Sequence, residues 1–574
     1  MPLAPIQRRT ALATAASLGS LPLLGLLPEA LAQSPSLQLG PAEPFSFEAL
    51  IERARARAAQ PYVPPPMPVP DVVKRIDYDA HGKLRFRPEY ALFGDGPGAY
   101  PVTFQFLGGF FPKSVAMHVV DGGEAREIVY SPDYFTVRDD SPARELPPGT
   151  NGFAGFWIQE SRLQDDWRKR EPWATFLGAS YFRAVGELGQ VGMSARGLAL
   201  NVASSTPEEF PDFVAHWIAP ALREEDPVVV HSLLDGPSVC GAYRFLIYRT
   251  GGVMMDIENH LFLRQDIERM GVAPLTSMFW YAEYGREKIA DWRPEVHDSD
   301  GLAIWNGAGE RIWRPLNNPT RIFHTSYLDQ TPKGFGLIQR DRVFDHYLDG
   351  VGYDRRPSTW VEPVGDWGKG MVQLVEIPTD DEIHDNIAAY WLTDRPTKAG
   401  DAFNYRYRLH WVADQPDFPW NQLAHVVATR MGRGGQPGKP RPRGVYKFSV
   451  EFLGGTLANL PFGVLPEPAI WVSRGTTSLV MMEAVPDNVP GHWRLFFDLA
   501  LDSQVRQKLV DLDVPQFPRM LPSPGPILKK PQEQRNPPDI RPFRTQRQMP
   551  QTHQFAHIIQ QPRVTRHPAS PYTE

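Results

Sequence analysis

Short runs of β-branched and aromatic residues, interrupted by glycine, aspartate and proline, recur through most of this chain. Runs of this length and composition are typical of strands, and the 59 prolines among 574 residues disfavour long helices. The sequence therefore predicts a mainly β fold, with a large N-terminal antiparallel β-sandwich over residues 40–412. Representative runs are VTFQFL (102–107), YRFLIY (243–248), GMVQLVEI (370–377) and FNYRYRL (403–409).

A second group of strand-like runs follows a stretch dominated by proline, glycine and arginine. This stretch contains MGRGGQPGKPRPRG, and residues 413–443 are predicted to form a linker. The later runs are YKFSVEFL (446–453), AIWVS (469–473), SLVMME (478–483) and WRLFFDL (493–499). Together they span about 100 residues, the size of an immunoglobulin domain. We therefore predict a smaller immunoglobulin-like β-sandwich over residues 444–525.

Two helices are predicted within this β pattern. Residues 45–59 have apolar side chains at helical spacing, with Ser46 placed as the N-cap. Residues 206–217 begin with a capping-box pattern and are predicted to form the second helix.

Both ends of the chain are predicted to lie outside the folded domains. Residues 1–32 contain a twin-arginine pair, an apolar stretch and the cleavage pattern Ala30-Leu-Ala32, which predict a twin-arginine signal peptide and export to a bacterial periplasm. Pro22 and Pro28 interrupt the apolar stretch, which disfavours a membrane anchor, and no membrane segment is predicted in the mature protein. Residues 526–574 are rich in proline, glutamine and arginine, and are predicted to be poorly ordered.

Charge and cysteine content exclude several classes of protein. The formal net charge of −6 and the absence of an overall basic field disfavour nucleic-acid binding. Cys240 is the only cysteine, so an intramolecular disulfide and a cysteine-based metal site are excluded, and we expect a buried strand residue there. The chain has no G-x-S-x-G motif, and the glycine-rich segment 94–98 lacks the lysine of a phosphate loop. No cofactor is predicted.

The segment EVHDSDGLAIW (295–305) places a histidine and two carboxylates directly before a strand-like run. Asp298 and Asp300 have two interpretations at this point. Asp-Ser-Asp-Gly is typical of a tight turn, in which the polar side chains bond to the local backbone. The same carboxylates are candidates for acid–base catalysis. A metal site is disfavoured, because the spacing matches neither a calcium-binding loop nor the paired histidines of zinc hydrolases.

A second acidic segment, 380–391, carries Asp385 where a polar loop enters an apolar run. An Asx turn at the start of a strand explains this placement as well as a catalytic role does. Glycoside hydrolysis requires two such groups, one carboxyl that protonates the leaving oxygen and one carboxylate that activates water. Tyr353, Arg356 and Trp360 lie between the two acidic segments and suit sugar binding, although each aromatic ring also suits a core.

Eight segments of the chain form a recognisable set: GASYFR (178–183), SARGL (194–198), PLTSMF (274–279), HDSDG (297–301), RPLNNP (314–319), KGFGL (333–337), RPS (356–358) and WVEP (360–363). Together they resemble the periplasmic glucans biosynthesis proteins of the OpgG/OpgD type, and the twin-arginine signal is similar to that of the D type. The resemblance covers residues from about 40 to 525.

The resemblance implies a sandwich similar to the galactose-mutarotase fold, joined to an immunoglobulin-like domain. It implies action on the β-1,2-linked glucose backbone of osmoregulated periplasmic glucans as an anomer-inverting endo-β-1,2-glucanase. It further implies Asp385 as the general acid and Asp298 as the base, with Tyr353 and Arg356 binding the substrate. We add Asp300 and Trp360 as further candidate substrate-binding residues.

A non-catalytic interpretation remains open at this stage. Mutarotase-like sandwiches also serve as sugar-binding proteins, so fold alone does not establish hydrolysis. In this alternative the chain binds glucan and organises the inner-membrane glucan synthase machinery through its immunoglobulin-like domain.

Overall fold

The computed structural model describes residues 36–147, 149, 152–286, 289–415, 424–461, 463–472, 475–500, 510–513 and 520–522. The predicted signal peptide (1–32) and the predicted tail (526–574) lie outside these residues.

Two large sheets dominate the described residues, which confirms the mainly β prediction. The first sheet is mostly antiparallel and contains thirteen described strands. Their spatial order is Leu39–Pro44, Glu124–Ile128, Ala116–Asp121, Asp212–Ala219, Val228–Asp235, Val239–Thr250, Gly252–Leu263, Ala402–Val412, Ser358–Val364, Gly334–Ile338, Gly301–Trp305, Arg311–Pro315 and Met520–Pro522.

The second sheet is antiparallel and includes Leu198–Leu200 as an additional strand paired with Met270–Ser277. The other strands, in spatial order, are Phe323–Gln330, Lys369–Glu376, Ile387–Thr393, Met270–Ser277, Ser194–Arg196, Tyr181–Ala184, Ala174–Leu177, Phe153–Ile158 and Val102–Phe106. Side chains of both sheets share one apolar core. For example, the ring of Phe176 in the second sheet lies 5.1 Å from that of Phe245 in the first. The two sheets therefore form the predicted sandwich.

The first predicted helix is confirmed as Phe47–Ala58. Ser46 caps it, because its hydroxyl accepts a hydrogen bond from the backbone N–H of Ala49 at 3.1 Å. Phe47 and its helical neighbours pack in an apolar cluster with Trp217 and Cys240, and Cys240 is buried in a strand as expected. None of the described helices is long and apolar enough to cross a membrane. Other short helices in the described part of the chain are Pro70–Val73, Tyr78–His81 and Phe344–Tyr347, and it also contains 3₁₀ turns at Pro88–Tyr90, Pro132–Tyr134, Pro142–Glu145, Trp167–Lys169, Tyr353–Arg355 and Gly455–Asn459.

The second predicted helix, 206–217, is wrong. The chain instead enters the strand Asp212–Ala219, which pairs with Val228–Asp235 and Ala116–Asp121. Pro211 cannot donate a helical hydrogen bond, and two neighbouring strands supply partners for the backbone groups that follow it. Long-range pairing therefore overrides the local capping-box signal.

A separate four-stranded sheet contains His425–Arg433, Val445–Leu453, Trp493–Ala500 and Thr476–Ala484, in that order, and Ala469–Val472 pairs with Val510–Asp513. The strand His425–Arg433 falls within the range predicted to be a linker, so that assignment is wrong for these residues. The run HVVATRM contains β-branched residues that favour a strand. The prolines and glycines on either side of it led to the prediction of a linker. The extent of the immunoglobulin-like domain stays a prediction.

The four-stranded sheet packs against one end of the first large sheet. Val426 and Phe448 share an apolar cluster with Trp313 and Trp360 of the sandwich. The strand that carries Trp360 packs into the sandwich core with its other face, through Val361.

Two short strands form a separate small sheet that carries the beginning of the acidic segment identified in the sequence. Phe279–Tyr281 pairs with Val296–His297, and Arg85–Phe86 pairs with Phe135–Thr136 elsewhere.

Candidate functional site

Asp298 lies in the connection between two strands. It follows Val296–His297 and precedes Gly301–Trp305, and its backbone N–H donates a hydrogen bond to the carbonyl of Met278 at 2.8 Å. A Cβ added at Gly301 would lie 2.4 Å from the ring of Trp313, so glycine is required where the next strand begins. The side chains of Asp298, Ser299 and Asp300 contact Arg356, Ser277 and Asp341 respectively, and all three partners are distant in the chain. These contacts do not favour the turn interpretation, which requires bonds to the local backbone.

Asp385 is brought close to this connection by the residue that follows it. The side-chain oxygen of Asn386 accepts a hydrogen bond from the backbone N–H of Phe279 at 2.8 Å. Its amide group donates to the carbonyl oxygens of Phe279 and Ile377, both at 2.9 Å. Because Met278 holds Asp298 and Phe279 holds Asn386, the two acidic segments are attached to adjacent residues, where the strand Met270–Ser277 is followed by Phe279–Tyr281.

Arg356 and Tyr353 lie beside Asp298. The Nε atom of Arg356 is 3.3 Å from Oδ1 of Asp298, and its Nη1 atom donates to the carbonyl of Val191 at 2.9 Å. The guanidinium of Arg356 is 5.0 Å from the centre of the Tyr353 ring. All three side chains are buried. The structure therefore brings together three of the residues that the sequence singled out.

Glu382 connects Tyr353 to the loop that carries Asp385. The hydroxyl of Tyr353 donates a hydrogen bond to Oε2 of Glu382 at 2.5 Å, and Nη1 of Arg293 donates to the same oxygen at 2.7 Å. Burial, followed by the negative charge of Asp298, raises the pKa of Tyr353, so its hydroxyl stays protonated and remains a hydrogen-bond donor.

Arg183 is a site residue that the sequence did not identify as functional. Burial lowers the pKa of its guanidinium, and the neighbouring Arg356 lowers it further, whereas Asp385 and Asp298 act in the opposite direction. The negative charges of both candidate catalytic carboxylates therefore act on the guanidinium of Arg183. Two features of the sequence could have identified Arg183. It is the charged residue of the run YFRA, which forms the strand Tyr181–Ala184, and it lies in GASYFR, one of the segments that resemble the family.

Asp300 has structural partners. Its Oδ2 atom accepts hydrogen bonds from the backbone N–H groups of Arg340 and Asp341, and the second of these measures 2.8 Å. Its Oδ1 atom lies 3.8 Å from Nε2 of His297. Burial raises the pKa of Asp300, while the nearby His297 acts to lower it. These contacts do not favour the predicted substrate-binding role. Two backbone N–H groups in the connection that follows the strand Gly334–Ile338 already bind one of the two carboxylate oxygens.

Trp360 does not join the candidate site. Its side chain is 0% exposed and packs with residues of the C-terminal sheet. A Cβ added at Gly334 would lie 2.3 Å from its indole, which shows how closely the ring covers that strand. In this position the ring has no face available to a sugar, so the structure does not favour the predicted sugar-binding role.

His297, the residue before Asp298, forms a buried pair with Glu295. Its Nε2 atom lies 3.0 Å from Oε2 of Glu295, and its Nδ1 atom lies 3.2 Å from Oε1 of Gln339. Burial acts to lower the pKa of His297, but the bond to Glu295 and the charges of Asp300 and Asp341 outweigh burial and raise it to about 9. We infer that His297 is an imidazolium at neutral pH and holds the acidic segment in place.

The residues next to this pair have a spacing compatible with a metal ion. Glu295, Asp341 and His346 each offer one ligand atom, and these atoms lie within 4.8 Å of one another. Glu295 already pairs with His297, and Asp341 pairs with His346 at 2.5 Å. Because these internal hydrogen bonds satisfy the groups, we assign no metal to the cluster.

The charge on His297 predicts a stability that depends on pH. Because the folded-state pKa is raised from 6.5 to about 9, the stabilisation is full below about pH 6.5 and is lost as the pH rises through about 9. A shift of this size corresponds to about 3 kcal/mol at most. Urea unfolding measured between about pH 6 and about pH 9.5 should show this decline in the parent protein and a flatter profile in His297→Gln.

A matched histidine provides the control for this prediction. Burial lowers the pKa of His81, whose imidazole bonds to the carbonyl of Phe106 at 2.9 Å, so it does not titrate in the same range. The variant His81→Gln should therefore keep the parent slope. An unchanged slope in His297→Gln would contradict the inferred imidazolium.

Comparison with known families gives a match over most of the chain. The model of the family described as "Periplasmic glucan biosynthesis protein, MdoG" matches residues 45–515.

Individual relatives are similar over comparable lengths. The chain is 58% identical to "Glucans biosynthesis protein D 2" of Ralstonia nicotianae over 505 residues, which cover 87% of this chain and 93% of that protein. It is 44% identical to "Glucans biosynthesis protein D" of Stenotrophomonas maltophilia over 463 residues, covering 80% of this chain and 85% of the relative. The protein of the same name from Xanthomonas campestris pv. campestris is 43% identical over 511 residues, covering 88% and 94% respectively.

Proposed function

This chain belongs to the family of periplasmic glucan biosynthesis proteins, and from that premise we propose that it hydrolyses the β-1,2-linked glucan backbone with inversion at the anomeric carbon. Membership of the family gives it a role in periplasmic glucan biosynthesis and places it in the periplasm. Hydrolysis, its stereochemistry and export by the twin-arginine route are the parts that we propose.

In the proposed reaction Asp385 and Asp298 have separate functions. Asp385 donates its proton to the glycosidic oxygen as the bond between that oxygen and the anomeric carbon breaks. Asp298 accepts a proton from the water whose oxygen forms the new bond to the same carbon from the opposite face. Tyr353 and Arg356, which are buried in this conformation, bind the glucan beside Asp298 after a movement that exposes them. This division of roles is that of an inverting glycosidase.

One observation carries the proposal. The backbone N–H of Asp298 is bonded to Met278, and the side chain of Asn386 is bonded to Phe279, so two acidic segments from distant parts of the chain meet at adjacent residues. The electrostatic effect of both carboxylates on Arg183 is consistent with this shared location. Glycoside hydrolysis requires two carboxyl groups that flank the bond to be cleaved.

The first test is incubation of the mature protein, from Gln33, with linear β-1,2-glucan, followed by NMR of the released oligosaccharides. We expect new reducing ends to appear first as the α-anomer, because an inverting attack on a β-linkage produces that configuration. Initial release of the β-anomer would contradict inversion. Absence of product would contradict hydrolysis, and a separate binding measurement would then test the glucan-binding alternative.

A second candidate function is supported by the burial of Asp298. Both Asp298 and Arg356 are buried, and their ion pair leaves a substrate water no direct access to the carboxylate in this conformation. A non-catalytic glucan-binding protein that organises the inner-membrane synthase machinery needs no such access. This candidate predicts glucan binding without products, whereas the hydrolase requires movement at Arg356 before water is activated.

A further inference from the structure

Trp292 is an exposed indole close to the candidate site. Its side chain is 65% exposed, and Trp471, at 57%, is the only other tryptophan among the described residues that is more than half exposed. Tryptophan is enriched among the residues that contribute most to binding, so an exposed indole connected to a candidate site is a candidate for ligand contact. Trp292 lies six residues before Asp298, on the segment that leads into the strand Val296–His297.

The residues on either side of Trp292 are anchored by hydrogen bonds. The Oδ1 atom of Asp291 accepts hydrogen bonds from the backbone N–H of Arg293 at 2.8 Å and from its Nε atom at 3.0 Å. Nη1 of Arg293 also bonds to Asp349 at 2.7 Å. Because both neighbours are anchored, the indole is presented on an ordered segment, which reduces the entropy lost when it binds a ligand.

The same arginine connects Trp292 to the residues proposed to bind glucan. The guanidinium of Arg293 lies 5.8 Å from the centre of the Trp292 ring. Its Nη1 atom bonds at 2.7 Å to Oε2 of Glu382, the oxygen that also accepts the hydrogen bond of Tyr353. Trp292 is therefore one side chain away from the network that includes the loop of Asp385.

We propose that Trp292 is a platform on which one glucosyl unit of the glucan stacks, at a subsite outside the bond that is cleaved. This inference rests on the proposed function and adds a specificity-determining residue to it. A pyranose ring presents C–H groups on its faces, and these pack against the π face of an indole. A subsite that is separated from Tyr353 by Arg293 and Glu382 binds only chains long enough to reach it, so Trp292 favours longer glucans.

The test compares Trp292→Ala with Trp471→Ala, both in the Asp385→Asn background so that the glucan is not consumed. Calorimetric affinities are measured for β-1,2-linked gluco-oligosaccharides of increasing length. We expect Trp292→Ala to weaken binding of the long oligosaccharides about tenfold and to leave the short ones unchanged. Trp292→Phe should restore most of the affinity, because it keeps an aromatic face. Trp471→Ala should bind as its background does.

The results separate this inference from the proposed function. Equal affinities of Trp292→Ala and its background at every length would overturn the platform and leave the proposed function standing. A background protein that binds no β-1,2-glucan, when the parent protein also binds none, would overturn both. Changed self-association of Trp292→Ala in sedimentation, with unchanged glucan affinity, would assign the indole to a protein contact and overturn the platform.

Discussion

Replacing Asp385 by asparagine should lower the rate of β-1,2-glucan cleavage by about 10²- to 10⁴-fold, the range expected when a general acid is removed. Asparagine has nearly the same shape but has no carboxyl proton to give to the leaving oxygen. Because glucan binding does not require that proton, the affinity for the glucan should remain close to that of the parent protein. Rates are measured from released reducing ends, and affinities by calorimetry.

The same loop supplies the control for this substitution. Asp380 is exposed and lies outside the contacts described for the site, so Asp380→Asn should cleave glucan at the parent rate. Equal activity of Asp385→Asn and the parent would remove Asp385 from the mechanism. Loss of binding together with loss of cleavage would instead assign Asp385 to substrate recognition.

Replacing Trp360 by alanine should lower the free energy of unfolding by about 3–5 kcal/mol, as expected when a large aromatic side chain is removed from a core. The cavity would open between the sandwich and the C-terminal sheet, where the indole packs with residues such as Val426 and Phe448. Urea unfolding measures the loss. The fraction that remains folded should bind glucan with the parent affinity.

The exposed Trp471 again provides a matched comparison. Its replacement by alanine should change the free energy of unfolding by less than about 0.5 kcal/mol, because substitutions at the surface have small effects. A small loss of stability in Trp360→Ala, combined with much weaker glucan binding, would restore the role of sugar platform that the sequence suggested for this residue.

Secondary structure was predicted correctly from local sequence where all the residues that determine it lie within one short segment. The helix Phe47–Ala58 has its cap and its apolar spacing in one segment, and both were predicted. Runs of aromatic and aliphatic residues such as YRFLIY within Val239–Thr250 were identified for the same reason. The strands Asp212–Ala219 and His425–Arg433 were missed, because neighbouring strands decide their conformation and those neighbours lie elsewhere in the chain.

The candidate site shows the same division. The sequence identified Asp298 and Asp385 as acids at the entry to strands, and the resemblance of the chain to its family gave them roles. It did not show that Met278 and Phe279 hold both segments, since that depends on pairing between distant residues. It also did not single out Arg183, one charged residue in a strand, because the electrostatic effect of Asp298 and Asp385 on it arises only in the folded chain.

By itself, then, the sequence determined the mainly β class, the first helix and the chemical types available for a site, because these depend on composition and on short-range periodicity. Only the tertiary structure decided which face of each strand meets which neighbour. In Ser358–Val364, Val361 enters the sandwich core while Trp360, on the opposite face, packs against the C-terminal sheet. Alternation along a strand assigns residues to two sides, but packing partners from elsewhere in the chain decide what each side contacts.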